Sequence, residues 1–314
     1  MEQYGLYQVT IPLPYWNDSV HCFLGRREGK WTVIDTGMNG YDTRKTWEAA
    51  FAAHGINPQT DVEAILLTHH HGDHFGFAGE MQSWTGAKLH LSKPELDLAR
   101  YAWSVEDFTA FYRSTGLPRE MVQELHGHET AFVQPLSPFP EDLGIIEDGD
   151  SFQIGELSFE AILMPGHTRG HICYYNRQHK LLISGDHLTK ETIPYISYHG
   201  YGDDNPLQTY LSTLRNMQNM EISMVLPGHG PVFSDAQERI AELIRHFEAR
   251  IEAVHALVTH EMTAYEISLA LFPTERSVFK QWIDLGETNA YLRYLAEKGE
   301  LQVREEDGLH RYSR

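Results

Sequence analysis

Thr68-His69-His70-His71-Gly72-Asp73-His74 follows directly on the apolar run Val62-Glu63-Ala64-Ile65-Leu66-Leu67, and this junction restricts the chain more than any other stretch. The run predicts a buried strand. The chain must therefore leave a strand and at once present three imidazoles and a carboxylate on a tight loop. Imidazole nitrogen and carboxylate oxygen are the ligands of zinc and similar borderline divalent ions. His69 and His71 point to one side, and the bend at Gly72 lets Asp73 and His74 reach a neighbouring point. One catalytic ion takes about three protein ligands and keeps an open position, so the cluster is richer than one ion requires. It reads as half of a two-metal site. An affinity-tag remnant does not fit, because the run is internal, follows a strand and is interrupted by Gly and Asp.

The remaining ligands are expected in the same form, a polar side chain just after an apolar strand. Leu157 to Met164 ends in Pro165-Gly166-His167-Thr168-Arg169-Gly170-His171. Lys180-Leu181-Leu182-Ile183-Ser184 ends in Gly185-Asp186-His187, and Met224-Val225-Leu226 ends in Pro227-Gly228-His229. Three more strand ends thus deliver His167, Asp186 and His229, each beside a glycine that permits close backbone approach.

HxHxDH at His69, His71, Asp73 and His74, then His167, Asp186 and His229, with Ile34-Asp35-Thr36-Gly37 ahead of them, resemble the metallo-β-lactamase fold superfamily of hydrolases. The resemblance spans roughly residues 5 to 235. It implies an α/β fold, a four-layer αββα sandwich with the metals at one edge. By the same resemblance His69, His71 and His167 hold one ion, Asp73, His74 and His229 hold the other, and Asp186 bridges them. The implied cofactor is a pair of divalent ions, zinc foremost, with iron or manganese as alternatives. Asp35, which alone could be a cap or turn residue, is expected to support the metal loop from behind. Asp73 is expected both to ligate and to act as general base or acid. His70 and His187 adjoin ligands but point elsewhere by alternation, so their expected role is structural.

A formal net charge of -19 disfavours polyanionic partners, since nucleic-acid binding draws on clustered Lys and Arg. The expected partner is a small-molecule substrate. No apolar run reaches the length of a membrane span, and Met1-Glu2-Gln3-Tyr4-Gly5 lacks a signal-peptide layout. Cys22 and Cys173 lie in apolar surroundings and read as free buried thiols. A cytoplasmic location is expected.

Strands are predicted at Leu6 to Ile11, Val20 to Leu24 and Trp31 to Ile34, then a helix capped by Asp42 running to about His54, with Trp47 and Phe51 on one face. Phe75 to Trp84 reads as a helix and Lys88 to Leu91 as a strand. Residues 92–142 break the alternation and read as a helical insertion, either packed on the body or walling the site; His126 and His128 within it are given no role. After further strands, the loop leaving Asp186 carries Tyr195, Tyr198, His199 and Tyr201, which either line a substrate groove or order the loop. Residues 1–234 are expected to form the catalytic domain. In 235–314, Asp235 caps a helix to about Thr259, Thr263-Ala264-Tyr265-Glu266 is a capping box, Glu287 to Lys298 is a helix, and a hairpin turns at Glu306-Asp307-Gly308. This pattern resembles a winged-helix domain, yet it holds ten basic against fifteen acidic residues. A structural, lid-supporting or homodimer-forming role is expected instead.

The implied chemistry is hydrolysis by a metal-bridging hydroxide. True β-lactamases of the superfamily tend to place Cys where Asp186 stands. Acyl-homoserine lactonases carry Tyr three residues after the bridging Asp, where this chain has Thr189. The pattern of Asp186 and His74 resembles the glyoxalase II branch, which hydrolyses thioesters, so a small acyl thioester or ester is the expected substrate. The alternatives are a phosphodiesterase or endoribonuclease, as in the beta-lactamase-like protein 2 group, a lactonase, and a mononuclear-iron persulfide dioxygenase. A non-enzymatic metal-bound scaffold is the remaining alternative. Lys190, Arg169 and Arg113 suffice for one carboxylate or phosphate.

Overall fold

Alternation along the strands sorts the apolar side chains into two sets, and the architecture gives each set its own layer. The structure, a computed structural model, describes all residues except 14–18, 41, 104–108, 126–137 and 273–275. The first sheet contains β1 (Leu6–Pro12), β2 (Ser19–Arg27), β3 (Lys30–Ile34), β4 (Val62–Leu66), β5 (Lys88–Ser92) and β6 (Gly144–Ile146), in that spatial order. β1 to β3 pair antiparallel and β3 to β6 parallel. The second is built from β7 (Ser151–Ile154), β8 (Leu157–Leu163), β9 (Ile172–Asn176), β10 (Leu181–Gly185) and β11 (Met224–Pro227), with β10 and β11 parallel.

The helices are α1 (Thr43–His54), α2 (Pro58–Asp61), α3 (Gly72–Phe75), α4 (Ala78–Thr85), α5 (Lys93–Trp103), α6 (Thr109–Ser114), α7 (119–125), α8 (Pro206–Met217), α9 (Ala236–Leu257), α10 (Ala264–Leu271) and α11 (Val278–Glu297). Phe23, Ile34 and Leu66 of the first sheet meet Phe159, Tyr174, Ile183 and Leu226 of the second in one buried layer. Their strand neighbours Cys22, Leu24, Val33 and Ile65 face outward onto Trp47, Phe51 and Met81 of α1 and α4. On the far side Cys173, Tyr175, Leu182 and Val225 pack on Leu207, Tyr210, Leu211 and Leu214 of α8. The result is the helix, sheet, sheet, helix stack expected above. Cys22 and Cys173 end up on opposite outer faces, buried and free.

Several elements differ from expectation for identifiable reasons. The helix expected over Phe75 to Trp84 is two, and α3 begins at Gly72, so Asp73 and His74 ride on a single helical turn rather than on loop. Asp42 holds the N-cap position of α1 in a left-handed conformation (φ 68), and its carboxylate bonds Lys45 at 2.6 Å instead of a backbone N–H. Asp235 at the start of α9 likewise turns to Lys190. β6 was not expected, being three residues long and without a periodic signal. Within the insertion, α5, α6 and α7 are helical, while His126 and His128 lie outside the described residues.

α11 starts at the Ser277 cap, well before Glu287, because Gly286 in its interior weakens the local helix signal. The terminal hairpin pairs β13 (Gln302–Glu306) with β14 (Leu309–Ser313). Glu306 is thus a strand residue, and the turn is Asp307-Gly308 alone, with φ 52 and 77, as a type I′ turn requires. β14 also pairs with β12 (Met262–Thr263), and the Thr263–Glu266 capping box is present. Phe247, Ile251, Leu285, Tyr291 and Leu292 belong to the same apolar cluster as α8, so the core continues across residue 235. Among the described residues no helix is long and apolar enough to cross a membrane.

Candidate metal centre

The ends of β4, β8, β10 and β11 converge on one point. Their ligand-type atoms form two groups, His69 with His71 and His167, and Asp73 with His74, Asp186 and His229, each group lying within 4.8 Å. His167 Nε2 stands 3.3 Å from His69 Nε2 and 3.0 Å from His71 Nδ1. Two nitrogens on one tetrahedral zinc, each at about 2.0–2.1 Å, would be about 3.3–3.4 Å apart. Asp186 Oδ2 is 3.7 Å from His167 Nε2 and 3.5 Å from His229 Nε2, so this carboxylate faces both groups.

Outer hydrogen bonds decide which nitrogen of each ring faces inward. Asp35 accepts from the Thr68 N–H and hydroxyl, both at 2.8 Å, and from His74 Nδ1 at 2.8 Å. Because the Thr68 hydroxyl donates to Asp35, its oxygen accepts from His69 Nδ1 at 2.9 Å. His167 Nδ1 donates to the Tyr195 carbonyl and His229 Nδ1 to the Ser19 carbonyl, both at 2.8 Å. With Nδ1 protonated in His69 and His167, their Nε2 lone pairs oppose each other 3.3 Å apart. A cation between them relieves that repulsion, and the donor set fits a divalent ion of zinc type.

Burial, then neighbouring rings, hold His69 and His71 well below the ordinary imidazole value, as neutral ligands must be. The other group is zwitterionic. Burial opposes it, but Asp186 and Asp73 raise His74 well above the usual range and bring His229 up to about 12. Against the same burial, His74 and His229 hold Asp73 down to about 2. His74 Nε2 and Asp186 Oδ1 are 3.1 Å apart yet outside hydrogen-bond geometry, both buried. Such orphaned atoms at a convergence of ligands mark an ion's place.

Of three further supports, the first two were not anticipated. Glu95, fully buried on the first turn of α5, accepts from the His70 N–H at 2.9 Å, from His70 Nδ1 at 2.5 Å and from the Gly170 N–H at 2.6 Å. One carboxylate therefore ties the His69–His71 loop to the His167 loop through His70. His171 accepts from the Asp186 N–H at 3.2 Å and stacks on His69 with centroids 4.9 Å apart. At Gly228 a Cβ would lie 2.5 Å from Asp186 Oδ1 and 2.6 Å from His74 Cε1, so only glycine fits. The ligand-glycine pairing was visible in the sequence, whereas nothing local marked Glu95.

The Tyr195 to Tyr201 loop divides in two. Tyr195, Tyr198 and His199 turn towards the C-terminal helices: the Tyr195 hydroxyl bonds the Ile283 carbonyl, and the Tyr198 ring lies under Arg293. Tyr201 pairs with Tyr101 at 5.0 Å and lines a groove of about 280 Å³ with Lys93, Leu98 and Arg169. His187 is buried against Tyr210, neither ring nitrogen bonded among the described residues, and burial lowers it to about 3.

Comparison with known proteins agrees with this arrangement. Residues 15–229 match the family model of the metallo-beta-lactamase superfamily. The probable metallo-hydrolase YqjP of Bacillus subtilis is 25% identical over 303 residues, 91% of each chain. An atrochrysone carboxyl ACP thioesterase of Aspergillus fumigatus is 23% identical over 218 residues, 69% of this chain but only 53% of that one. The crystal structure of the metallo-beta-lactamase family protein TTHA1429 from Thermus thermophilus superposes with TM-score 0.86 at 29% identity, over 99% of this chain and 98% of that one. With the family matched across most of its sandwich and the ligand-type residues gathered at the sheet edge, this chain belongs to the metallo-beta-lactamase superfamily of metal-dependent hydrolases.

Proposed function

We propose that the chain hydrolyses a small acyl thioester or ester at a dinuclear centre, with zinc as the resident metal. One observation carries the dinuclear reading: Asp186 Oδ2 faces His167 on one side and His229 on the other, at 3.7 and 3.5 Å. His69, His71 and His167 would hold one ion, Asp73, His74 and His229 the second, and Asp186 both. The ions would supply Lewis acidity and a water ionised near neutral pH. Asp73, its side chain 22% exposed against 14% for Asp186 and 13% for His229, would orient that water and take its proton. The thioester reading draws on the activity for which the Aspergillus thioesterase is named and on the groove beside the His167 loop. Tyr101, Tyr201 and Leu98 give that groove an apolar wall, while Arg169 and Lys93, the latter paired with Asp97, give it positive charge. The C-terminal segment, read as winged-helix-like, has the acidic balance that argues against a polynucleotide.

The test pairs metal analysis with a substrate panel of acyl thioesters, esters, lactones, phosphodiesters and single-stranded RNA. The expected result is about two ions per chain and the highest kcat/KM on thioesters, both lost in Asp186→Ala. Salt-sensitive RNA cleavage without thioester turnover would reverse the substrate assignment. One iron per chain, with oxygen consumed on a persulfide, would replace the hydrolase by a dioxygenase.

A further inference from the structure

His167 takes its orientation from a backbone carbonyl, and that carbonyl belongs to a stretch without regular secondary structure. The His167 Nδ1–H bonds Tyr195 O at 2.8 Å, which turns Nε2 towards His69 and His71. Residues 186–205 between β10 and α8 contain neither helix nor strand, so no helix or sheet ladder within them aims the Tyr195 carbonyl. Its own side chain does so from outside. The Tyr195 hydroxyl donates to Ile283 O of α11 at 2.9 Å and meets His199 Nε2 at 2.9 Å. A phenol has one hydrogen; with it on Ile283, His199 Nε2 must be the donor in the second bond. His199 is stacked on Trp282 of α11, centroids 4.4 Å apart, and the Trp282 indole N–H donates to the Tyr112 hydroxyl at 2.6 Å. The Tyr198 N–H donates to Gly286 O at 2.9 Å.

Gly286 is where helix and loop touch. A Cβ there would lie 2.2 Å from His199 Cε1 and 2.6 Å from the Tyr195 hydroxyl. Glycine is a poor interior residue for a 20-residue helix, and the contact it permits accounts for it. We propose that the C-terminal unit is a positioning element of the metal centre, α11 fixing Tyr195 through Ile283 and Gly286, and Tyr195 fixing the ring of His167. The inference rests on the metal reading of His69, His71 and His167.

Cobalt(II) is the probe, titrated into metal-stripped full-length protein against a competing chelator and followed by its visible absorption. Tyr195→Phe removes the hydroxyl and keeps the ring, and should lower cobalt affinity by about tenfold, the lower end of outer-partner effects, with an altered absorption band and unchanged far-UV circular dichroism. Gly286→Val should act in the same direction; if it does not fold, Tyr195→Phe decides alone. Tyr265→Phe is the control, because its hydroxyl meets Gln281 of α11 and Met121 of α7 and not the loop. Parental cobalt binding in Tyr195→Phe would overturn the proposal. Equal weakening in Tyr265→Phe would also overturn it, since general loosening would then be the cause. Parent protein that takes up no cobalt would instead overturn the metal reading beneath it.

Discussion

At the scale of single residues, the centre depends as much on what is missing as on what ligates. Gly228 leaves room that Asp186 and His74 occupy, with a Cβ only 2.5 Å from the Asp186 oxygen. Gly228→Ala should therefore fold, since the position lies at the sheet edge, while displacing the carboxylate that faces both groups. We expect the bound metal to fall below two ions per chain, measured by elemental analysis after dialysis. Full occupancy in this variant would remove Asp186 from the bridging position. Asp35 shows the complementary case. A single carboxylate bonded to Thr68 and His74 holds β4's exit and the first turn of α3 in register.

At the scale of elements, α9 and α11 are bonded to the sandwich by the same apolar contacts that hold α8. Phe247 of α9 is buried, its ring 5.4 Å from Tyr210 of α8 and 6.4 Å from Tyr291 of α11. Truncating such a residue costs about 3–5 kcal/mol in lost transfer energy and cavity formation. Phe247→Ala should lower the stability of the whole chain by that amount in a single denaturant transition. Two transitions, with the sandwich melting at its parental midpoint, would show that the C-terminal unit is independent. The Arg250 side chain and Glu287, 3.8 Å apart across α9 and α11, add little beside that core, since half-exposed ion pairs contribute about 0–1 kcal/mol.

For the whole molecule, a metal held by these residues should act as a folding ligand as well as a catalytic one. Seven ligand-type side chains, three buried and four half-buried, come from four strand ends. Ions bound at 100 times their Kd stabilise by about 2.7 kcal/mol per site. Stripping the protein with a chelator should then lower Tm by at least about 5 °C, and zinc should restore it, as read by differential scanning fluorimetry. An unchanged Tm would mean that the folded chain binds metal no more tightly than the unfolded chain does.

The sequence by itself determined whatever is carried by covalent neighbours. Strand alternation separated Ile65 from Leu66 and Leu182 from Ile183, and so fixed the layers. A histidine or aspartate placed just past each strand end reached the common edge, and Thr263 with Glu266 announced the start of α10. Only the tertiary structure decided which ring nitrogen faces the centre, because that depends on partners such as Asp35, 39 residues from His74, and Tyr195, 28 residues from His167. It also decided that Glu95 bonds Gly170, 75 residues further on, as well as His70, 25 residues before it, and that α11 runs through Gly286. Periodicity encodes the face a residue occupies within its own element. It carries no record of which distant group will meet that face once irregular segments pack, and there the close approach of atoms, not local propensity, sets the geometry.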